Sequence, residues 1–242
     1  MLTEKTRNHR EIWKNKKILR EVYHQWYKKI VASFSKCNGV VLEIGAGCGG
    51  FKEFFTAAYA SDIQHCSWID LCHDALALPF RSNTLSNIVI IDVLHHLPHP
   101  LLFFSEAIRA LCPGGRVLIV EPYPSPLSRF VYKQFHPEPF IFDENLFDKK
   151  EYSKQDVWKA NQATAFILLY RDKKKFLEYF SRSIKMMKQE RMSSIAYPLS
   201  GGFEHPPIIP EPLFPCAFAL EKLCKPLHVF AAFRCYCVLE KL

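Results

Sequence analysis

The stretch VVLEIGAGCGGFKEF, from Val40 to Phe54, restricts the fold of this chain more than any other segment. A β-branched and aliphatic run ends in an acid, and four glycines follow within six residues before a helical pattern begins. Glycine at such a turn permits positive φ and removes side-chain bulk. A ligand then has access to backbone amides near a helix N-terminus. The stretch therefore predicts a strand, a ligand-binding turn and a helix.

Residues 40–121 alternate between short apolar runs and helical stretches. This alternation is typical of a mainly parallel sheet with helices on its faces. Strands are predicted at 40–44, 57–61, 68–72, 87–92 and 116–120, and helices at 49–56 and 100–111. The glycine turn therefore follows the first strand of an α/β fold.

The flanking segments are less regular. Apolar residues three or four apart predict an amphipathic helix over 9–34. A basic helical region is predicted at 153–192, and SSIAYPLSGGF is interpreted as a strand that runs into a glycine turn. A helix at 212–224 and a last strand at 231–240 end the predicted order of elements.

The glycines match two cofactor-binding patterns, and a purely structural turn is the alternative. Gly45, Gly47 and Gly50 match the dinucleotide pattern G-x-G-x-x-G. Glu43 with Gly45, Gly47 and Gly49 matches E-x-G-x-G-x-G. Three later segments, HDALALPF, NIVIIDVLHHLPHP and LCPGGRVLIVEP, follow in order and favour the second pattern.

With these segments the chain resembles the small-molecule branch of the class I S-adenosylmethionine-dependent methyltransferases (type 11 methyltransferase domain). The resemblance implies an α/β, Rossmann-like, mainly parallel seven-stranded sheet with an antiparallel last strand and a helical cap. It implies S-adenosylmethionine as the cofactor. It also implies methyl transfer to O, N or C of a small-molecule acceptor, with lipid-like and anionic acceptors among the options.

The resemblance assigns the methionine and ribose contacts to the first two strand ends. Glu43 and the loop from Gly45 to Gly49, including Ala46, would surround the methionine part of the cofactor. Asp62, which ends the second apolar run, would accept hydrogen bonds from the ribose hydroxyls. NAD enzymes place an acid similarly, so Asp62 by itself does not discriminate between the two patterns.

The adenine and sulfonium contacts are assigned further along the chain. Ile63 and Ala75 would form the apolar walls beside adenine, and Asp74 would accept its amino group. The strand end from Asp92 to Leu94 would lie beside the reactive sulfonium. Only twelve residues separate Asp62 from Asp74 and they include a predicted strand, so the usual intervening helix is expected to be very short or absent.

Methyl transfer from a sulfonium depends mainly on alignment and exclusion of water, and needs a base only if the acceptor must lose a proton. His96 is the favoured general base or acceptor contact, with packing as the alternative role. Tyr123 and His136 are further catalytic candidates, because EPYPSPLSRFVYKQFHPEP begins at the carboxyl end of the fifth strand. Metal binding is not predicted, because Pro98 disrupts helical histidine spacing and no carboxylate lies at a supporting distance in sequence.

Composition and charge bear on localisation and partners. No apolar run approaches the roughly 18 residues of a spanning helix, and the nine cysteines are scattered. We therefore expect a soluble, cytoplasmic protein with free thiols. The formal charge of +8 is concentrated in residues 1–36, which hold ten basic and three acidic residues. The basic helix suggests peripheral association with an anionic membrane, with an ordinary solvated surface as the alternative.

The predicted division has four parts. They are an N-terminal amphipathic helical cap at 1–36, the cofactor-binding core at 37–121, an acceptor-site cap and insertion at 122–212, and a C-terminal helix and strand at 213–242. Two other functions remain open. A nucleic-acid methyltransferase would suit the charge but lacks the Asx-Pro-Pro-aromatic motif after the fourth strand, and a non-catalytic module would bind the cofactor alone. The sequence makes no prediction of the oligomeric state.

Overall fold

Runs of aliphatic residues form the middle of a seven-stranded sheet in the computed structural model, which describes residues 3–148, 160–181 and 183–242. The strand order is β3-β2-β1-β4-β5-β7-β6. Strands β1 to β5 pair in parallel, and β7 runs antiparallel to both β5 and β6. The strands are β1 Val40–Ile44, β2 Tyr59–Asp62, β3 Leu71–Cys72, β4 Leu85–Ile91, β5 Leu111–Pro122, β6 Ile184–Met192 and β7 Arg234–Lys241. The predicted fold class is confirmed.

Helices cover both faces of this sheet. They are α1 Glu4–Asn15, α2 Lys17–Val31, α3 Gly50–Phe54, α4 Pro100–Ala110, α5 Pro126–Phe135, α6 Thr164–Phe166, α7 Lys173–Tyr179, α8 Ala196–Ser200, α9 Phe214–Leu223 and α10 His228–Ala231. A π-helical turn, Ile167–Arg171, continues α6, and 3-10 turns occur at Leu94–His96, Glu211–Leu213 and Lys225–Leu227. The predicted absence of a helix between β2 and β3 is confirmed.

Alternation along the central strands divides the core into two layers. In β4, Ile88 and Ile90 face one layer, where Phe104 of α4 packs. Val89 faces the other layer, which contains Trp26 of α2. Because both faces of the sheet are covered, the central strands are apolar on both sides. This packing holds the strand ends in fixed positions relative to one another.

The N-terminal segment forms two helices where the sequence predicted one. The chain bends at Lys16, whose φ of −102° and ψ of 88° are not helical. Trp13 is 1% exposed and Trp26 is 3% exposed, so the aromatic face of both helices belongs to the core. This aromatic face is therefore not available to contact a membrane surface.

Two predictions after residue 180 are also wrong. Of the basic helical region predicted at 153–192, residues 153–159 and 182 lie outside the described residues, and 164–179 is helical for most of its length. Ile184–Met192, in contrast, is a strand at the edge of the sheet. Charged side chains are common on edge strands, and pairing with β7 overrides local preference. The predicted strand at 193–203 contains helix α8, whose first amides are capped by the Glu221 carboxylate from α9. The segment 122–212 thus contributes a strand to the sheet besides covering it.

Two further features concern the membrane and the thiols. Within the described residues, none of the helices is both long and apolar enough to cross a bilayer. All nine cysteines are free, as predicted. Cys235 and Cys237 lie on one face of β7 and are buried in the same layer as Ile88.

Candidate active site

A cavity of about 620 Å³ lies at the carboxyl ends of the parallel strands. Strand order reverses between β1 and β4, and ligands of open α/β sheets bind in the crevice at that point. Residues from α1, among them Thr6 and His9, line the cavity from above together with the segment Gly201–His205. The cavity is therefore bounded by the strand ends below and by two distant parts of the chain above. We call these two parts, α1 and Gly201–His205, the roof.

The glycine turn forms one end of the cavity. Gly45, Gly47 and Gly49 have φ values of +68°, +48° and +76°. A Cβ on Gly45 would lie 2.3 Å from the side chain of Val93, so a larger residue does not fit there. A Cβ on Gly47 would have no neighbour closer than 3.8 Å, and a side chain there would enter the space that this residue lines. The Gly47 amide donates to Asp62 Oδ2 at 2.9 Å.

Two residues that no sequence motif identified hold this turn from outside. The Trp68 indole N–H donates to the Gly47 carbonyl at 2.8 Å. The Arg10 guanidinium donates to the Cys48 carbonyl, pairs with Glu53 at 2.6 Å and lies 5.3 Å from the Trp68 ring centre. Helix α1 therefore fixes the glycine turn as well as covering the cavity.

Glu43 lies beneath the turn with one unsatisfied carboxyl oxygen. Its side chain lines the cavity and is 5% exposed, and among the described residues its Oε2 has no hydrogen-bond partner. Burial, assisted by the nearby charge of Asp62, raises the pKa of Glu43 to about 8. A buried acceptor of this kind suits the ammonium group of a methionine moiety, which would favour the ionised carboxylate.

The nucleoside end of the cavity is open. Asp62 Oδ1 accepts from the Gln64 amide, and Asp74 Oδ1 accepts from the Leu76 amide at 2.8 Å. Ile63 lines the cavity with 51% of its surface exposed, because no helix covers it between β2 and β3. With the space at Gly47 and the unsatisfied Glu43, these carboxylates and apolar walls fit an adenosyl sulfonium.

A partly buried ion pair lies where β4 ends, with the Asp92 side chain 24% exposed. Asp92 has a φ of +56°, and its Oδ1 is 3.3 Å from Arg234 Nε while its Oδ2 accepts from the Tyr23 hydroxyl at 3.0 Å. Arg234 also donates to the hydroxyls of Tyr132 and Tyr197. Burial raises the pKa of Asp92, and Arg234 opposes that rise. Sequence reasoning missed Arg234, which begins β7 and reaches the site only through the antiparallel pairing.

A second buried pair lies beside it. His95 Nδ1 is 2.6 Å from Glu121 Oε2, and Glu121 Oε1 accepts from the amides of Val93 and Leu94 at 2.8 and 2.6 Å. Burial alone would lower the pKa of His95. Glu121 and Glu138 outweigh that effect and raise the pKa to about 10.

Four more polar residues join His95 at the far end of the cavity, and we call this set the histidine wall: His95, His96, His136, Glu138 and Gln162. His95 Nε2 lies 3.6 Å from Glu138 Oε2. The Gln162 side-chain nitrogen lies 2.9 Å from His136 Nδ1 and 3.1 Å from Glu138 Oε2. Burial lowers the pKa values of His96 and His136 to about 4. Two neutral imidazoles therefore face the cavity at neutral pH.

Most of the predicted site residues line this one cavity. They are Glu43, Gly45, Ala46, Gly47, Asp62, Ile63, Asp74, Ala75, Asp92, His96 and His136. Gly49, Leu94 and Tyr123 are not among the lining residues. Gly49 faces Trp68, Leu94 is fully buried, and the Tyr123 hydroxyl accepts from Arg191 at 2.7 Å beneath the strand end. The Tyr123 side chain is turned towards β6, so the structure does not bring it to the predicted acceptor position.

Glu43→Gln is expected to make stability less dependent on pH. Because the folded pKa exceeds the ordinary value, folded protein binds more protons than unfolded protein between about pH 5 and 8, and stability falls as pH rises through that window. The Glu43 contribution approaches about 1.4 kcal/mol per pH unit. Urea unfolding of both proteins from pH 5 to 8 measures this. Equal slopes for both would contradict the assigned burial of an ionisable Glu43.

Comparison with known proteins identifies the core. Residues 42–119 match the family model described as a methyltransferase domain. A demethylmenaquinone methyltransferase of Staphylococcus haemolyticus is 29% identical over 128 residues, which are 52% of this chain and 53% of that protein. The ubiquinone/menaquinone biosynthesis C-methyltransferase UbiE of Roseobacter denitrificans is 27% identical over 129 residues, which are 51% of this chain and 50% of that protein. The chain thus spans about half the length of these curated relatives.

A solved structure extends the likeness to nearly the whole fold. A crystal structure of an S-adenosylmethionine-dependent methyltransferase from Archaeoglobus fulgidus has a TM-score of 0.53 and 18% identity, covering 92% of this chain and 94% of that one. At this identity the likeness concerns the fold alone. The domain match contains the glycine turn, Asp62, Asp74 and Asp92. Residues 42–119 are therefore similar to a methyltransferase domain, and the fold around them is that of the S-adenosylmethionine-dependent methyltransferases.

Proposed function

We propose that this chain transfers the methyl group of S-adenosylmethionine to O, N or C of a small molecule held against the histidine wall. The observation that carries the proposal is one roofed cavity with a cofactor-type glycine turn at one end and two neutral imidazoles at the other. The bound donor supplies a methyl group already activated on a sulfonium. The protein then needs to align the acceptor and exclude water.

The donor end is proposed to bind as the resemblance implies. Glu43 would meet the ammonium group, Asp62 the ribose hydroxyls and Asp74 the adenine amino group, while Ile63 and Ala75 flank the base. Their shared position in the cavity supports this assignment. Asp62 already orients the Gly47 amide, so that carboxylate would position both the turn and the sugar.

The acceptor end is proposed to use His96 and His136. His136 Nδ1 accepts hydrogen bonds from the Glu138 amide and the Gln162 side chain, which leaves the proton of the neutral ring on Nε2. His136 is therefore suited to donate a hydrogen bond to the acceptor. Tyr123 is left out of this set, because its side chain contacts Arg191 and does not line the cavity.

A small acceptor is favoured over nucleic acid by the roof. Lys16 of the α1–α2 bend donates to the carbonyls of Gly202 and His205. Thr6 donates to Gln64 at the nucleoside end. A polynucleotide would have to displace these contacts to reach the strand ends. Hydroxyaryl compounds suit the tyrosines in the lining, and the named relatives include a demethylmenaquinone methyltransferase.

A lipid-like acceptor is a second candidate, favoured by one exposed surface. Helices α5, α9 and α10 and the turn between the last two expose large apolar side chains, and α10 packs against α5. We call this surface the apolar rim: Leu127, Phe130, Phe135, Leu220, Leu223, Leu227, Val229 and Phe230. Phe135 is 60% exposed and also lines the cavity, so the rim is continuous with the cavity edge. Exposed Arg129, Lys133, Lys222 and Lys225 on the same elements suit anionic lipid.

Gly47→Asp is expected to weaken S-adenosylmethionine binding by about 100-fold or more, which corresponds to about 2.7 kcal/mol. The side chain would enter the cavity, and its charge would add to that of Asp62. Calorimetric titration of the cofactor measures the change. Gly114→Asp is the matched control, because Gly114 also has positive φ (+76°) and open space but lies outside the cavity. Equal affinities in the two variants would refute the placement of the donor.

His136→Asn is expected to reduce methyl transfer by about 100-fold, a usual contribution for a positioned hydrogen-bonding group, with little change in cofactor affinity. The measurement is transfer of labelled methyl into metabolite extracts and a hydroxyaryl panel that includes demethylmenaquinone. Cofactor binding without transfer to any fraction would favour the non-catalytic module. Transfer only to RNA, with steep salt dependence, would favour the nucleic-acid enzyme.

Phe130→Ser combined with Phe230→Ser is expected to reduce partitioning onto anionic vesicles, measured by flotation, by about 100-fold or more, since about 1.5–3 kcal/mol per side chain is lost from the bilayer contact. Leu102→Ser is the control, because Leu102 is 46% exposed on α4, away from the rim. If wild type floats no better with anionic vesicles than with neutral vesicles, the result counts against a membrane-borne acceptor. A dimer lost in the double variant would assign the rim to a second copy.

A further inference from the structure

Three side chains of the histidine wall present metal-ligand atoms to one another. His95, His96 and Glu138 each offer one atom, and these atoms all lie within 4.8 Å of one another. Imidazole nitrogens and carboxylate oxygens bind zinc-like ions at about 2.0–2.2 Å, so two ligands of a tetrahedral ion are about 3.4 Å apart. The separation of 3.6 Å between His95 Nε2 and Glu138 Oε2 is close to that spacing. A small rotation of His96 would complete three ligands.

The surroundings of His95 resemble those of a metal-bound histidine. Its Nδ1 is held by Glu121, which is fully buried and anchored by the amides of Val93 and Leu94. A carboxylate on one ring nitrogen orients the other towards an ion and increases its basicity. Here the second nitrogen points at Glu138. Two carboxylates thus converge on a single imidazole, which carries a proton on each nitrogen when no ion is bound, and a divalent cation would replace the proton on Nε2 and release it to water.

An independent observation lies beside these ligands. Gln162 is 2% exposed and lines the cavity, and its side-chain nitrogen is engaged with His136 and Glu138. Its carbonyl oxygen, Oε1, is buried and has no hydrogen-bond partner in the described parts of the chain. Such an orphaned acceptor is costly to leave unsatisfied. It would be satisfied by an ion or by water bound to the ion.

From this geometry we infer that His95, His96 and Glu138 bind one divalent transition-metal ion at the acceptor end of the cavity. Two imidazoles and one carboxylate favour zinc, iron, cobalt, nickel or manganese over magnesium or calcium. Three protein ligands leave positions open towards the cavity, as in catalytic metal sites. Ion binding itself does not require the proposed function.

The use of the ion does rest on the proposed function. A hydroxyl or phenol oxygen of the acceptor would occupy an open position, and metal coordination lowers the pKa of a bound hydroxyl. Its proton would pass to water. The metal site therefore selects acceptors with an oxygen at or next to the methylated atom, and His96 would contact the acceptor through the ion.

The test titrates Co²⁺ and Zn²⁺ into the chelator-treated 242-residue chain and follows binding by absorption and by calorimetry. We expect one ion per chain and a Co²⁺ spectrum without thiolate charge transfer, which excludes the nine cysteines as ligands. Glu138→Gln and His96→Gln should each weaken binding by about 100-fold, and Glu121→Gln by about 10- to 100-fold. Circular dichroism melting of each variant checks that it is folded.

The matched controls are His9→Gln and Glu204→Gln. These residues form another histidine–glutamate pair in the same cavity, with His9 Nε2 3.7 Å from Glu204 Oε1. Their ion affinity should equal that of wild type. No Co²⁺ or Zn²⁺ binding in wild type, a thiolate spectrum, or unchanged affinity in Glu138→Gln and His96→Gln would overturn the inference. Titration of S-adenosylmethionine into the same proteins separates the two proposals. If wild type binds the cofactor but no ion, the metal site is refuted and the proposed function stands. If wild type does not bind the cofactor, the proposed function is refuted.

Discussion

The reversal of strand order between β1 and β4 is the constraint on which the rest of the site depends. β1 pairs with β2 on one side and with β4 on the other, so the chain leaves these neighbouring strands in opposite directions. The crevice between the two exits is where the cavity lies. The same pairing brings Val93 to the place where a Cβ of Gly45 would be. Close approach of β1 and β4 therefore demands glycine at position 45, in the turn that lines the cavity.

Two charge pairs rigidify the strand ends beyond this turn. Asp92 is matched by Arg234, and Glu121 is matched by His95. Removal of one partner from such a pair would leave the other charge inside the protein without compensation, which is strongly unfavourable. Each pair joins segments from different parts of the chain. The acceptor end of the cavity is therefore held by electrostatics, while the donor end is held by backbone conformation.

The roof joins the most distant segments of the chain. Lys5 and His9 of α1 face Glu204, and the neighbouring Lys16 contacts the carbonyls of Gly202 and His205. These contacts surround the cavity with polar groups while the aromatic face of α1 and α2 packs into the core. Part of the positive charge of the N-terminal region, which in the sequence suggests an anionic partner, is thus paired with groups of the same chain.

The half of the cavity around the glycine turn was predictable because its determinants are local. The glycines, Glu43 and Asp62 lie at strand ends whose order follows from hydrophobic alternation, and positive φ at a turn requires glycine wherever the turn lies. The absence of a helix between β2 and β3 followed from chain length alone. The helix break at Lys16 and the strand at 184–192 could not be predicted from the local sequence, because packing and pairing with β7 outweighed the local pattern.

The acceptor half was decided by tertiary structure. Spacing along the chain argued against any carboxylate near His95 and His96, yet Glu138 folds back to within 3.6 Å of His95. Arg234 reaches Asp92 only because β7 inserts antiparallel between β5 and β6, and Tyr123 is drawn away from the cavity by Arg191. The sequence by itself determined the sheet and the glycine turn, since both depend on short-range periodicity and backbone freedom. Tertiary structure alone decided which distant side chains meet at the histidine wall, because those contacts depend on long-range strand pairing and burial.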